Sequence, residues 1–216
     1  MTEKEPTTAI KNVIFDFDGV IADSFIIFQE TLQEILKRPT KFTDEEAEEL
    51  RSLKTLDVMK KLGVKKWQLP SGLIKGRRGL TEKVDRVSIF PGMPEVLNKL
   101  KDDKLKLYVL TSSSDQYIGS SLNRYELLDI MTHVYSSAGL FDKAKRLKKI
   151  IKAEGLLLPE CVYVGDETRD IDAAKQIGMK CIAVGWGYNN VSALKSSQPN
   201  MIVNHPKDLL GAIQKI

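Results

Sequence analysis

Two aspartates one residue apart close the first apolar run of the chain, in the string Val13-Ile14-Phe15-Asp16-Phe17-Asp18-Gly19. Such a run reads as a buried strand, and in an open parallel sheet ligands bind beyond the carboxyl ends of the strands. Carboxylates at i and i+2 in that position repel each other unless something positive lies beside them. A hard divalent cation is the obvious partner. Gly19 lets the backbone turn sharply straight after the pair. A plain polar turn after a buried strand would use the same residues, so the string by itself leaves both readings open.

Two further strand ends carry reactive residue types. Val162-Tyr163-Val164 runs into Gly165-Asp166-Glu167-Thr168-Arg169-Asp170. Asp166 fits the strand tip, and Asp170 fits the first turn of the next helix, near its positive end. Helix capping by Asp166 or Thr168 explains one acid but not the set. Leu107-Tyr108-Val109-Leu110 ends in Thr111-Ser112-Ser113-Ser114. Hydroxyls and free backbone N–H groups at a strand-to-helix junction can hold a phosphate, while a serine N-cap is the plain alternative. We expect Ser113 or Ser114 to cap and Thr111 and Ser112 to face the site.

The elements that must position these residues follow from hydrophobic period. Strands are expected at Val13–Phe15, Leu105–Leu110, Val134–Tyr135, Val162–Val164, Ile182–Val184 and Met201–Val203. Helical patterns lie between the later ones, as from Asp142 to Glu154, where Gly155 is placed as a stop. Alternation of this kind argues for an α/β fold, a parallel sheet flanked by helices. Residues 25–87 break the alternation with helical pattern and no convincing strand. Thr43-Asp44-Glu45-Glu46 fits a capping box opening a helix to about Leu62. We therefore expect a core domain of residues 1–24 and 88–216, and a small inserted helical domain of residues 25–87. The joints are expected near Ala22-Asp23-Ser24 and Ser88-Ile89-Phe90, and Pro91-Gly92 marks the return to the core.

Composition limits the function classes. The chain has 216 residues, a net charge of +4 and 42% hydrophobic residues, enough for one substantial core plus a small accessory unit. No apolar run approaches the ~20 residues of a membrane span, and the polar start of the chain, Met1 to Ala9, lacks a secretory pattern. A cytoplasmic protein with no membrane partner is expected. Cys161 and Cys181 each start an apolar run and read as small hydrophobes. Basic residues are dispersed without interleaved aromatics, so no nucleic-acid partner is expected. His133 and His205 lack ligand spacing. Nothing here specifies an oligomeric state.

Taken together, Asp16 to Val20, Leu110-Thr111-Ser112, a lysine ahead of the later strands and Gly165-Asp166 to Asp170 resemble the haloacid dehalogenase superfamily. The resemblance spans nearly the whole chain. Helices inserted directly after the first motif resemble its helical-cap subgroup, which includes phosphoglycolate phosphatase and β-phosphoglucomutase. It implies a Rossmann-like core whose first strand is central, and a phosphoglycolate-phosphatase-like, magnesium-dependent enzyme acting on a small phosphorylated metabolite, a phosphoglycolate-like phosphomonoester. Asp16 matches the nucleophile that forms an aspartyl-phosphate, and Asp18 the general acid and base. Thr111 matches the phosphate-binding hydroxyl, with Ser112 beside it. The Mg²⁺ ligands implied are Asp16, the backbone carbonyl of Asp18, and Asp166, with Asp170 in support.

Departures from the family pattern shape the remaining expectations. Relatives often carry the lysine in a Gly-Lys-Pro stretch, whereas this chain has Phe141-Asp142-Lys143-Ala144-Lys145-Arg146. Lys143 fits the spacing best and Lys145 second. Glu167 stands where many relatives have serine. Gly185-Trp186-Gly187-Tyr188 is expected either beside the site or with Trp186 plugging the core edge. Lys75-Gly76-Arg77-Arg78-Gly79 is a basic, flexible stretch whose Arg77 and Arg78 are candidates for selecting an anionic substrate, solvated surface being the alternative. A phosphosugar mutase and a catalytically silent partner-binding domain are the competing functions. A dehalogenase is disfavoured because it needs no magnesium, and hence no acids at Asp166 and Asp170.

Overall fold

The computed structural model describes residues 9–64, 69–136 and 142–216, so Phe141 and all of the N-terminal tail except Ala9 lie outside the description. The chain enters through β1 (Asn12–Phe15) and turns into β2 (Ala22–Asp23). Four helices follow: α1 (Phe25–Ile35), α2 (Asp44–Arg51), α3 (Thr55–Lys61) and α4 (Leu69–Glu82). It returns through β3 (Ser88–Ile89), α5 (Met93–Asp102), β4 (Lys106–Thr111), α6 (Asp115–Asn123), β5 (His133–Ser136) and α7 (Lys143–Ala153). The last elements are β6 (Cys161–Gly165), α8 (Thr168–Gln176), β7 (Lys180–Val184), α9 (Val191–Ser196), β8 (Met201–Val203) and α10 (Leu209–Lys215).

The main sheet has six strands in the order β5-β4-β1-β6-β7-β8, and every neighbouring pair is parallel. This is a Rossmann-like α/β fold, and each of the six strands falls where hydrophobic pattern puts it. The central strands read as unbroken apolar runs because helices cover both faces. Strand alternation divides β1 between two cores: Val13 and Phe15 join one buried layer, and Ile14 joins the other. The strand order reverses at β1, with β4 on one side and β6 on the other. The three motif-bearing strands are therefore adjacent, and the crevice at their carboxyl ends is where such folds bind ligands.

Residues 25–64 and 69–87 contain no strand. At the two joints, β2 and β3 pair antiparallel, Ala22 with Ile89 and Asp23 with Ser88, a short ribbon that pattern does not reveal. Two readings need correction. The helix expected from Thr43 to about Leu62 starts with the capping box as read, but it divides into α2 and α3. Asn189 Nδ2 draws the carbonyls of Arg51 and Leu53 out of the helical ladder, each at 2.9 Å, and Asn190 N–H takes Arg51 O at 3.0 Å. The stretch at residues 75–79 is helical, inside α4. Its Gly79 serves close packing of α4 on α1: a Cβ there would meet Thr31 Oγ1 at 2.5 Å.

Candidate active site

Asp16 follows β1, and its N–H continues the ladder to Val164 O at 2.9 Å. Its carboxylate is buried: Oδ1 accepts from Phe17 N–H at 2.8 Å, and Oδ2 accepts from Lys143 Nζ at 2.5 Å. Lys143, in the first turn of α7, also donates to Asp170 Oδ1 at 2.5 Å. Lys145 is exposed, so between the two lysines considered only Lys143 reaches the acids. Residues 143 and 147 lie one turn apart on the face of α7 that packs inward, which is why 143 and not 145 is buried.

Asp170 has a structural duty as well. Its Oδ2 accepts the N–H groups of Asp166 and Glu167 at 3.1 and 3.0 Å, closing the first turn of α8. Asp166 is fully buried, and its Oδ2 accepts from Tyr188 N–H at 2.7 Å. Its Oδ1 is buried without a partner among the described residues. Backbone has to approach this carboxylate closely. A Cβ on Gly19, whose φ is +78°, would meet Asp166 Oδ2 at 2.0 Å, and one on Gly187 would meet Asp166 Cβ at 2.3 Å.

Carboxylate oxygens of Asp16, Asp166 and Asp170 all lie within 4.8 Å of one another. Burial raises the Asp16 pKa to about 6, with the Lys143 charge opposing the rise and Asp170 adding to it. Asp166 is raised well above the ordinary range by burial, then by the charges of Glu167, Asp170 and Asp16. Burial works against the Lys143 ammonium, but Asp16 and Asp170 outweigh it and hold its pKa above the usual value. Lys143 thus pairs with two of the three buried acids, and Arg169 adds a second positive charge nearby. The orphaned Asp166 Oδ1 and the hard oxygen donors suit an added cation such as Mg²⁺.

Asp18 sits apart from that group. Three hydroxyls hold its carboxylate: Ser24 Oγ at 2.7 Å and Tyr117 OH at 2.9 Å on Oδ1, and Ser113 Oγ at 2.6 Å on Oδ2. Tyr188 OH extends the network to Ser24 at 3.0 Å. Burial raises the Asp18 pKa, and the Ser113, Ser24 and Tyr117 hydrogen bonds pull it back. Thr111 is buried at the end of β4 with Oγ1 accepting from Ser113 N–H at 3.0 Å. Ser114 is the cap of α6, bonded to Tyr117 N–H. Ser112 and Ser113 both line the cleft, so Ser113 belongs with the site although the sequence left it as a possible cap.

The basic pair of α4 separates. Arg77 lines the cleft and donates from Nη2 to Ser113 O at 3.2 Å. Arg78 is exposed and pairs with Glu82 at 2.6 Å, because consecutive helical residues point ~100° apart. Trp186 donates to Val20 O at 3.2 Å and packs on Phe90, so it fills the core edge, and Tyr188 reaches the cleft instead. Sequence reasoning gave no role to Arg169, which is half-buried, lines the cleft and ion-pairs with Glu167. Glu167 also accepts from Thr55 Oγ1 of α3 at 3.0 Å, tying the inserted helices to the sheet edge.

A buried acid cluster, a lysine and a row of hydroxyls at the carboxyl edge of a parallel sheet define a class of phosphate-handling α/β enzymes. A family model described as haloacid dehalogenase-like hydrolase matches residues 13–184, and the chain belongs to that family. It is 30% identical over 208 residues to a phosphoglycolate phosphatase of Synechococcus elongatus, covering 94% of this chain and 97% of that enzyme. A solved structure described as a predicted phosphatase from Clostridium acetobutylicum superposes with a TM-score of 0.83 at 18% identity, covering 97% of this chain and 100% of that one. A haloacid dehalogenase-like family protein from Streptococcus pneumoniae gives 0.76 at 21% identity, over 95% of this chain and 99% of that one. The chain is a phosphatase, a phosphoric monoester hydrolase. No helix among its described residues is long and apolar enough to cross a membrane.

Proposed function

We propose that this phosphatase hydrolyses a small-molecule phosphomonoester in two displacements through an aspartyl-phosphate on Asp16. The observation that carries the reading is the pairing of two buried aspartates with different surroundings at one cleft. Asp16 is ion-paired to Lys143, while the partners of the Asp18 carboxylate among the described residues are hydroxyls. In the first displacement a carboxylate oxygen of Asp16 attacks phosphorus. The bond to the ester oxygen breaks, and Asp18 gives that oxygen its proton. Asp18, now a carboxylate, takes a proton from water, which attacks phosphorus, and the bond to Asp16 breaks to release inorganic phosphate. Splitting the reaction in this way replaces one hard step with two easier ones.

Lys143 offsets charge on Asp16 and on the phosphoryl oxygens. Thr111 and Ser112 are the proposed phosphate contacts; the Thr111 hydroxyl, already accepting from Ser113 N–H, keeps its hydrogen to donate. Asp16, Asp166 and the Asp18 backbone carbonyl would hold Mg²⁺, with Asp170 fixing the turn behind them. When bound, the ion would neutralise the acids and the charge that develops on the transferred group. We propose residues 25–87 as a cap domain over the cleft, with the β2–β3 ribbon at its base and Arg77 as its cationic contact. A closed cap excludes bulk water during the first displacement. Two free, buried cysteines suit the reducing cytoplasm.

Hydrolysis of an aryl phosphate in Mg²⁺ and in excess chelator tests this reading. Activity should vanish in chelator and return with added Mg²⁺. Full turnover in chelator would contradict it.

A further inference from the structure

Resting on that phosphatase reading, we infer that the alcohol part of the substrate is an extended apolar group and not a two-carbon acid. The cleft that begins at Asp16, Asp18, Ser112 and Ser113 opens into a cavity of about 650 Å³. Volumes of ~300–1,000 Å³ hold drug-sized ligands. Phosphoglycolate, with two carbons and a carboxylate, would occupy only the end at the aspartates.

The walls set the chemistry. Phe25, Phe28, Leu32, Ile35 and Leu36 all line the cavity from α1 and the residue that closes it. Their spacing of three or four, with a last step of one, puts them on a single stripe. At a rise of ~1.5 Å per residue the stripe runs about 16 Å away from the acids. Leu32, Ile35 and Leu36 stay half-buried and Ile27 packs into the protein, while Gln29 and Thr31 add polar atoms to the cavity wall. Phe42 and Met59, from ahead of α2 and from α3, add further apolar wall.

Arg77 and Arg169 lie at the opposite end, while Arg51, Lys75 and Lys37 also line the cavity, Lys37 directly after Leu36. Arg77 is bonded to Ser113 O beside the phosphate-binding row, and Arg169 lies one residue from Asp170. The Nε atoms of Arg77 and Arg169 are buried without a partner among the described residues. A single anionic head at the acids with an apolar tail along α1 matches the stripe of Phe25, Phe28, Leu32, Ile35 and Leu36.

The test is a series of n-alkyl phosphates, from ethyl to octyl, assayed with phosphoglycolate on the full chain in Mg²⁺. Each methylene buried along the stripe should raise kcat/KM about fourfold until the chamber is filled. Phosphoglycolate should be hydrolysed no faster than ethyl phosphate, and Leu32→Asp should flatten the rise. A flat series, or a preference for phosphoglycolate over octyl phosphate, overturns this inference and leaves the phosphatase reading standing. No hydrolysis of any of these esters overturns both.

Discussion

At the scale of single residues, two acids of one tripeptide differ in what surrounds them. Asp16 faces an ammonium, and Asp18 faces three hydroxyls. Asp18→Asn should lower turnover by ~10²–10⁴-fold, the usual contribution of a positioned proton donor. Tyr117→Phe removes one of the three hydroxyls from a buried carboxylate. It should cost about 1.5–3 kcal/mol of stability in urea denaturation and slow turnover less than Asp18→Asn does. Equal kinetic losses in the two variants would mean that Tyr117 acts by more than holding Asp18. The aspartates were legible in the sequence because strand-end carboxylates in pairs have few structural uses. Tyr117 and Ser24 were not, because a buried helical tyrosine and a serine ahead of a helix have many. Arg169 was hidden inside the very string that drew attention to Asp166 and Asp170.

At the scale of elements, the six sheet strands were readable because burial on both faces leaves only apolar residues to choose from. The division of α2 from α3 was not, because its cause lies in Asn189 and Asn190, far along the chain. No local propensity of Ser52, Leu53 or Lys54 reports a carbonyl taken by a distant amide. Gly79 carries a second message that composition conceals: it looks like flexibility and acts as clearance. Gly79→Ala should therefore destabilise the protein by about 1–3 kcal/mol through its clash with Thr31. In a Thr31→Ala background, which removes the 2.5 and 2.9 Å contacts and leaves one at 3.3 Å, the same change should cost at least about 1 kcal/mol less. Thermal or urea melts of the four proteins decide this. A Gly79→Ala effect of the same size in both backgrounds would remove Thr31 as the cause.

For the whole molecule, the site joins strands from both halves of the sheet to helices from the insertion, so its electrostatics enter global stability. Three clustered buried carboxylates repel one another beyond what Lys143 and Arg169 offset, and a cation bound to the folded state relieves that repulsion. Mg²⁺ at about 100 times its Kd should stabilise the fold by ~2.7 kcal/mol, seen as a higher urea midpoint that chelator reverses. Asp166→Asn should reduce that gain. A midpoint indifferent to Mg²⁺ would show that the cluster is not where the ion acts.

The central claim is that phosphoryl transfer passes through Asp16, and it is tested most directly by trapping the transferred group. Asp18→Asn protein is mixed with a phosphate ester carrying a good leaving group, quenched in acid, digested and analysed by mass spectrometry. The account predicts one phosphorylated peptide, with the added mass on Asp16, and none when Asp16→Asn is introduced as well. Phosphate on any other residue, or its persistence in the double variant, would contradict the account.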